Sequence, residues 1–214
     1  EALGVCIELT PEKVARCIDE VGVGFMFAPL FHPAMKHVMP SRKAMGIRTV
    51  FNCLGPLTNP AKARAQVIGV YSENLTEVFA EVLKNLGTQR ALVVHGADGL
   101  DELSTTGASK ISELKDGEVE SYQVEPEEFG LRRVKLTDIL GGDVNENVSI
   151  TQAILNGEKG PKQDVVVLNA AGAILVGGKT RDMKGAVNLA QESINSGAAL
   201  RKLNYLVEFT QKLS

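Results

Sequence analysis

Three five-residue stretches, 67–71 (Val-Ile-Gly-Val-Tyr), 91–95 (Ala-Leu-Val-Val-His) and 164–168 (Asp-Val-Val-Val-Leu), are apolar almost throughout rather than at every second position. A strand with one wet face alternates, so unbroken runs predict strands covered on both faces. Strands of that kind belong to parallel sheets enclosed by helices. The runs therefore set the expected fold class as α/β, with a mostly parallel central sheet flanked by helices. Between the first two runs, Leu75, Val78, Phe79, Val82, Leu83 and Leu86 recur at helical spacing and Gly87 offers a left-handed end, which completes one β-α-β unit.

Other elements follow from local chemistry. Thr10 before Pro11 predicts a helix start, continued by Val14, Cys17, Ile18 and Val21 and stopped at Gly22. Residues 24–28 read as a short strand, and 34–45 as a helix that Pro40 kinks or restarts. Asp116-Gly117 is a turn pair between residues 111–114 and 119–124, so an antiparallel hairpin is expected beside the parallel strands. Asp143 with Glu146 predicts a capped helix to about Asn156, and Asp182 another that ends before Gly197. Residues 198–213 place Leu200, Leu203, Leu206, Val207 and Phe209 largely on one side of a final helix.

Composition excludes several classes of function. Lys and Arg number 23 against 26 Asp and Glu, a net charge of −3, which disfavours binding to nucleic acid. No apolar run approaches the ~20 residues that span a bilayer. Cys6, Cys17 and Cys53 are too few for a disulfide framework and have no zinc-binding spacing, so a reduced, cytoplasmic compartment is expected. No nucleotide P-loop, G-x-S-x-G elbow, H-E-x-x-H or dinucleotide fingerprint occurs. The chain opens at Glu1 with neither methionine nor secretory signal, and is expected to be a piece of a longer protein.

Three segments can carry chemistry. Residues 95–104 (His-Gly-Ala-Asp-Gly-Leu-Asp-Glu-Leu-Ser) follow a buried strand directly and should emerge at the carboxyl end of the sheet, where open α/β folds bind ligands. On a glycine-loosened loop, Asp101 and Glu102 can each meet a hard cation such as magnesium. The alternative is that Asp98, Asp101 and Glu102 are solvated charges at a helix start. Lys36, His37, Arg42, Lys43 and Arg48 form the densest basic cluster and suit an anion, arginine being better than lysine for a carboxylate. Residues 49–60 hold Gly55-Pro56 and Asn59-Pro60, two rigid turns that suit either a binding wall or a plain crossover. His32 and His95 read more readily as a turn group and a packed side chain than as bases.

Residues 25–35 (Phe-Met-Phe-Ala-Pro-Leu-Phe-His-Pro-Ala-Met), 42–60, 95–104 and Asn169-Ala-Ala-Gly172, in this order, closely resemble the anthranilate phosphoribosyltransferase family. The most specific match is the Arg-Thr-x-Phe-Asn-x-Leu-Gly-Pro-Leu-x-Asn-Pro pattern at 48–60. The resemblance implies transfer of a phosphoribosyl group from phosphoribosyl pyrophosphate to anthranilate, with release of pyrophosphate, in tryptophan biosynthesis. By motif position, Arg42 corresponds to the residue that binds the anthranilate carboxylate, and Asp101 and Glu102 to the acidic pair that holds Mg2+. His32, Asn52 and Pro56 match wall positions. No residue is implied as a proton carrier, since the aromatic amine is already a free base.

The family has a larger α/β domain, to which residues 1–214 correspond, and a small α domain that mediates a homodimer and to which 33–60 would contribute. Its glycine-rich phosphate loop and a Lys-His-Gly-type segment have no counterpart in these 214 residues, so the chain alone is expected to be inactive. Two rivals are a pyrimidine nucleoside phosphorylase-like enzyme, whose substrate has no carboxylate to call for Arg42, and a nucleic-acid-binding paralogue, which the net charge opposes.

Overall fold

The computed structural model describes residues 1–33, 35–46 and 49–214, and the side chains of all of these except 36, 39 and 41–43. Its elements run, in chain order, α1 (Pro11–Arg16), a π-turn (Cys17–Val21), α2 (Ala28–Phe31), α3 (Met35–Met45), α4 (Phe51–Leu57), β1 (Ala65–Gly69), α5 (Leu75–Asn85) and β2 (Arg90–Gly96). They continue with β3 (Ser109–Lys115), β4 (Glu118–Val124), a 3-10 turn (Pro126–Phe129), α6 (Leu136–Ile139), α7 (Val144–Leu155), α8 (Pro161–Val176), α9 (Met183–Asn195) and α10 (Ala198–Leu213).

The four strands form one sheet in the order β1-β2-β3-β4. β1 and β2 are parallel, joined by α5 as expected, while β2–β3 and β3–β4 are antiparallel. Asp116 (φ 52°) and Gly117 (φ 82°) both take the positive φ that a tight hairpin turn between Lys115 and Glu118 requires. The mixed α/β architecture therefore stands, with the hairpin supplying half of the described strands.

Both faces of the sheet are covered, which explains the unbroken apolar run in β2. Leu92 and Val94 join Leu103, Ile111, Val167, Leu168 and Ala171 in the core under α8 and α9. Ala91 and Val93 face the other way, with Ile68, Val70, Phe79, Ala80 and Leu83 under α5. A third cluster packs Leu206, Phe209 and Leu213 of α10 on Leu9, Val14, Cys17 and Val21. Among the described residues no helix is long and apolar enough to cross a membrane.

Several local expectations are corrected. Residues 164–168 form no strand; they lie inside α8, which starts with Pro161 at its first turn and is apolar on nearly all sides, with Val167, Leu168, Ala171, Gly172, Leu175 and Val176 buried. An unbroken valine run does not by itself separate a buried strand from a buried helix, and here the apolar pattern extends to Val176, too far for a strand. Residues 24–28 find no strand partner among the described residues and lead instead into α2. Pro40 lies within a continuous α3, and Gly55-Pro56 closes α4 rather than forming a free turn. Asn59 does head a turn, its Oδ1 accepting from the Ala61 amide at 3.0 Å. The start at Thr10 and the caps at Asp143 and Asp182 are as expected, each side chain accepting from a first-turn amide.

The α8 assignment has a direct test, because Val166 and Leu168 would share one face of a strand but are far apart around a helix. Leu168 is 1% exposed and Val166 is 42% exposed. Leu168→Ala should cost about 2–5 kcal/mol in urea unfolding, whereas Val166→Ala should stay within about 0.5 kcal/mol of wild type. Similar losses at both positions would restore the strand.

Candidate functional site

β2 ends at Gly96, and residues 97–108 return as a loop to β3 without forming a helix. This removes the helix-start alternative for the three acids. Asp98 turns inward, where its carboxylate accepts from the Leu100 amide at 3.1 Å and from the hydroxyls of Ser104 and Thr106, both at 2.5 Å. Burial pushes the Asp98 carboxyl up, but these hydrogen bonds together outweigh it and hold the group below its ordinary value.

Leu103 is the plug of the loop, 0% exposed in the core under α8. Its backbone is held by one side chain: Asn169 Oδ1 accepts from the Leu103 amide at 2.9 Å, and Asn169 Nδ2 donates to the Leu103 carbonyl at 2.8 Å. The Asn169-Ala-Ala-Gly172 motif thus braces the acidic loop from α8. On the opposite side, the loop crosses the end of β1 so closely that a Cβ on Gly69 would overlap the carbonyl oxygen of Asp101.

Between these two anchors, Asp101 and Glu102 are left exposed at the carboxyl end of the parallel pair. Partial desolvation, and then repulsion from Asp101 and Asp98, push the Glu102 carboxyl up. Among the described residues no ion pair neutralises any of the three acids. Nor does any group of three potential ligands there form a cation cage. Two exposed hard-oxygen donors in uncompensated negative potential fit magnesium, which commonly takes one or two carboxylates and fills its octahedron with water and substrate phosphate.

The other candidates are placed as follows. His95 is a packed group at the end of β2, its Nδ1 2.8 Å from the Val70 carbonyl oxygen. His32 ends α2, and its carbonyl accepts from the Met35 amide. Asn52 Oδ1 accepts from the Thr49 amide at 3.0 Å, which shapes the start of α4. α4 in turn sets Cys53 and Leu57 against the core under α5. Pro56 lies in the last turn of α4. α3 carries Lys36, His37, Arg42 and Lys43; His37 is exposed, the side chains of the other three lie outside the described ones, and Arg48 lies outside the described residues.

The sequence profile of the glycosyl transferase family, a/b domain, matches residues 1–200. The chain belongs to that family. It is 54% identical over 213 residues to the anthranilate phosphoribosyltransferase of Symbiobacterium thermophilum, matching 100% of this chain and 62% of that protein. The Methanosarcina acetivorans anthranilate phosphoribosyltransferase is 51% identical over 214 residues, again all of this chain but 58% of the relative. The crystal structure of that enzyme from Thermus thermophilus superposes with a TM-score of 0.92 at 46% identity, covering 98% of this chain and 62% of that one. The Saccharomyces cerevisiae enzyme in complex with PRPP and Mg gives a TM-score of 0.90 at 30% identity, covering 99% and 61%. The resemblance read from the sequence is thus borne out, and the chain spans about three-fifths of the length of these relatives.

Two positioning residues stand out: Gly69, which sequence reasoning passed over, and Asn169, which it named only as part of a matching segment and gave no role. A glycine inside an apolar strand does mark a close backbone approach, whereas the role of Asn169 was hidden by reading 164–168 as a strand.

Two outcomes follow. Gly69→Ala, a change that ordinarily favours a strand, should here cost about 1–3 kcal/mol in urea unfolding because the Asp101 backbone must move. Asp98 stabilises the fold above the unfolded carboxylate pKa of about 3.9, and that contribution is lost as pH falls through its lower folded value. Asp98→Asn should therefore melt lower than wild type at pH 7 and lose less of its melting temperature on acidification from about pH 5 to pH 2. Parallel acid profiles would contradict the role given to Asp98.

Proposed function

We propose that this chain forms the anthranilate-binding and metal-binding part of an anthranilate phosphoribosyltransferase. The reaction joins the amine nitrogen of anthranilate to C1 of the phosphoribosyl group and breaks the bond from C1 to pyrophosphate, giving N-(5-phosphoribosyl)anthranilate in tryptophan biosynthesis. The observation that carries this reading is the exposed Asp101–Glu102 pair, braced at the carboxyl end of β1 and β2. It sits in a fold that superposes on the yeast enzyme in complex with PRPP and Mg. The same likeness favours the transferase over a nucleoside phosphorylase or a nucleic-acid-binding paralogue.

Asp101 and Glu102 would hold Mg2+, which supplies charge neutralisation for the departing diphosphate. Arg42, on α3, would bind the anthranilate carboxylate and so set the direction from which the neighbouring amine attacks, a guanidinium being suited to a carboxylate. The amine is uncharged near neutral pH, so orientation and exclusion of water matter more than proton removal, and the proton it sheds passes to solvent. Asp98, Asn169 and Gly69 act through the loop, by fixing where the two exposed carboxylates stand. His32, Asn52 and Pro56 line the anthranilate side as wall groups.

In this reading residues 33–60 belong to the small α domain, and the exposed Val50 and Leu54 are apolar surface that a homodimer through that domain would cover. Three free cysteines support a cytoplasmic location. The glycine-rich phosphate loop of the family is outside these 214 residues, so the chain by itself is expected to show no turnover.

The reading is tested in a protein carrying this chain together with the additional segment that its relatives possess. Loss of anthranilate fluorescence should require both phosphoribosyl pyrophosphate and magnesium. Arg42→Ala should raise KM for anthranilate about 100-fold, the loss of a charge-assisted grip worth about 3 kcal/mol, while leaving the magnesium titration in place. Asp101→Asn with Glu102→Gln should lower kcat and move the magnesium titration to higher concentration. An unchanged KM would remove Arg42 from the carboxylate site, and an unchanged magnesium titration would remove the acidic pair from the metal.

A further inference from the structure

The register of the parallel pair fixes what the end of β2 should do. Gly69 pairs with Val94, so Val70 stands opposite His95. A regular parallel rung there makes two bonds: the Val70 amide donates to the Val94 carbonyl, and the Val70 carbonyl accepts from the Gly96 amide. The first is made, at 3.0 Å. The second is not, because the Gly96 amide donates instead to the Leu100 carbonyl at 2.9 Å, while the Gly96 carbonyl accepts from the Gly99 amide at 2.9 Å. The acidic loop closes on itself with backbone groups drawn away from the ladder. The closure is tight, since a Cβ on Gly96 would overlap the Asp98 carboxylate.

Val70 is 3% exposed, so a carbonyl abandoned there would be a buried acceptor without a donor. His95 supplies the donor. Its Nδ1 lies 2.8 Å from the Val70 carbonyl oxygen, and a carbonyl can only accept, so Nδ1 carries the hydrogen. We propose that His95 is a positioning residue for the acidic pair. Its Nδ1–H replaces the Gly96 amide at Val70 and releases that amide to hold the carbonyl of Leu100, the residue directly before Asp101. The hollow that His95 helps to line, with Glu73 and Lys110, is about 30 Å3, room for a single water and for no substrate, so the role is positional rather than chemical. It complements the two anchors already described. Gly69 sets how near the loop passes and Asn169 holds Leu103 after the pair, whereas His95 acts on the residue before it. Only its consequence for magnesium rests on the transferase reading.

The test has two arms, and the first needs no turnover. Long-range proton–nitrogen NMR of the full chain should find a hydrogen on His95 Nδ1. The Asp101 amide shares its peptide group with the Leu100 carbonyl, so its signal, with that of Gly96, reports the bond between them. His95→Asn carries its amide nitrogen as many bonds from Cβ as Nδ1 is, and should leave both signals close to wild type. His95→Gln carries it one bond further out, and it and His95→Ala should shift both. In the second arm, in a protein that also carries the additional segment of its relatives, the Gln and Ala variants should raise half-saturating magnesium about fivefold. KM for anthranilate should stay within about twofold, and the Asn variant should restore the wild-type titration. If the Ala variant does not fold, the Asn–Gln pair decides. A hydrogen on Nε2 alone, an Asn variant no closer to wild type than the Gln variant, or an unchanged magnesium titration in the Gln variant of an active protein would each overturn the proposal. Absence of turnover in the wild type would fault the transferase reading instead, and the first arm would still decide the place of His95.

Discussion

One side chain on α8 holds both backbone polar groups of the residue that plugs the acidic loop. Without Asn169, the Leu103 amide and carbonyl would sit beside the core with no strand or helix to satisfy them, at about 1–3 kcal/mol each. Burying the Leu103 side chain offsets such a cost only if the plug is seated, so the clamp and the plug depend on each other. The consequence reaches the surface. Adjacent acids repel, and a free loop would swing them apart; here the residues immediately before and after the pair are fixed by Asp98 and Asn169, and the repulsion is retained as potential at one place.

The sheet supplies the other side of that vice. Parallel pairing brings the carboxyl ends of β1 and β2 together, and the loop leaving β2 passes over the end of β1 before it returns to β3 on the other side of β2. Gly69 makes the crossing possible at backbone distance, and the side-chain interactions on the two faces of β2 keep the crossing from relaxing. Antiparallel pairing of β2 with β3 then returns the loop to the same sheet within 12 residues, between positions 97 and 108. A wholly parallel sheet would have needed a helical crossover there, and the loop would have lacked its second anchor.

Much of this was legible in the sequence, for identifiable reasons. The hairpin at Asp116-Gly117 and the capped helices at Thr10, Asp143 and Asp182 rest on interactions within about a dozen residues, which local pattern records, and the β-α-β unit on two strands paired 25 residues apart whose runs and intervening helix each carry their own period. The acidic pair was readable from glycine spacing after a buried strand. What pattern could not supply were choices made by distant partners. Residues 164–168 are valine-rich and lie in a helix that buries Val167 and Leu168 in the core while Val166 faces out, and Asp98 reads like its acidic neighbours until Ser104 and Thr106 fold back onto it. Gly69 is one letter in an apolar run, and its meaning lies 32 residues away at Asp101.

Three acids within five residues therefore take two kinds of work, and the difference lies in who fills their lone pairs. The Asp98 carboxylate already accepts three hydrogen bonds from its own loop, which leaves it little to offer a cation and keeps it charged at lower pH. Asp101 and Glu102 face solvent, and Glu102 is held above its ordinary value by desolvation and by those same neighbours. A dication placed there relieves the repulsion, yet two carboxylates leave most of an octahedron unfilled. Under the proposed transferase reading the missing ligands would be diphosphate oxygens and water, and the pair would receive a metal already partnered with its substrate rather than hold one alone.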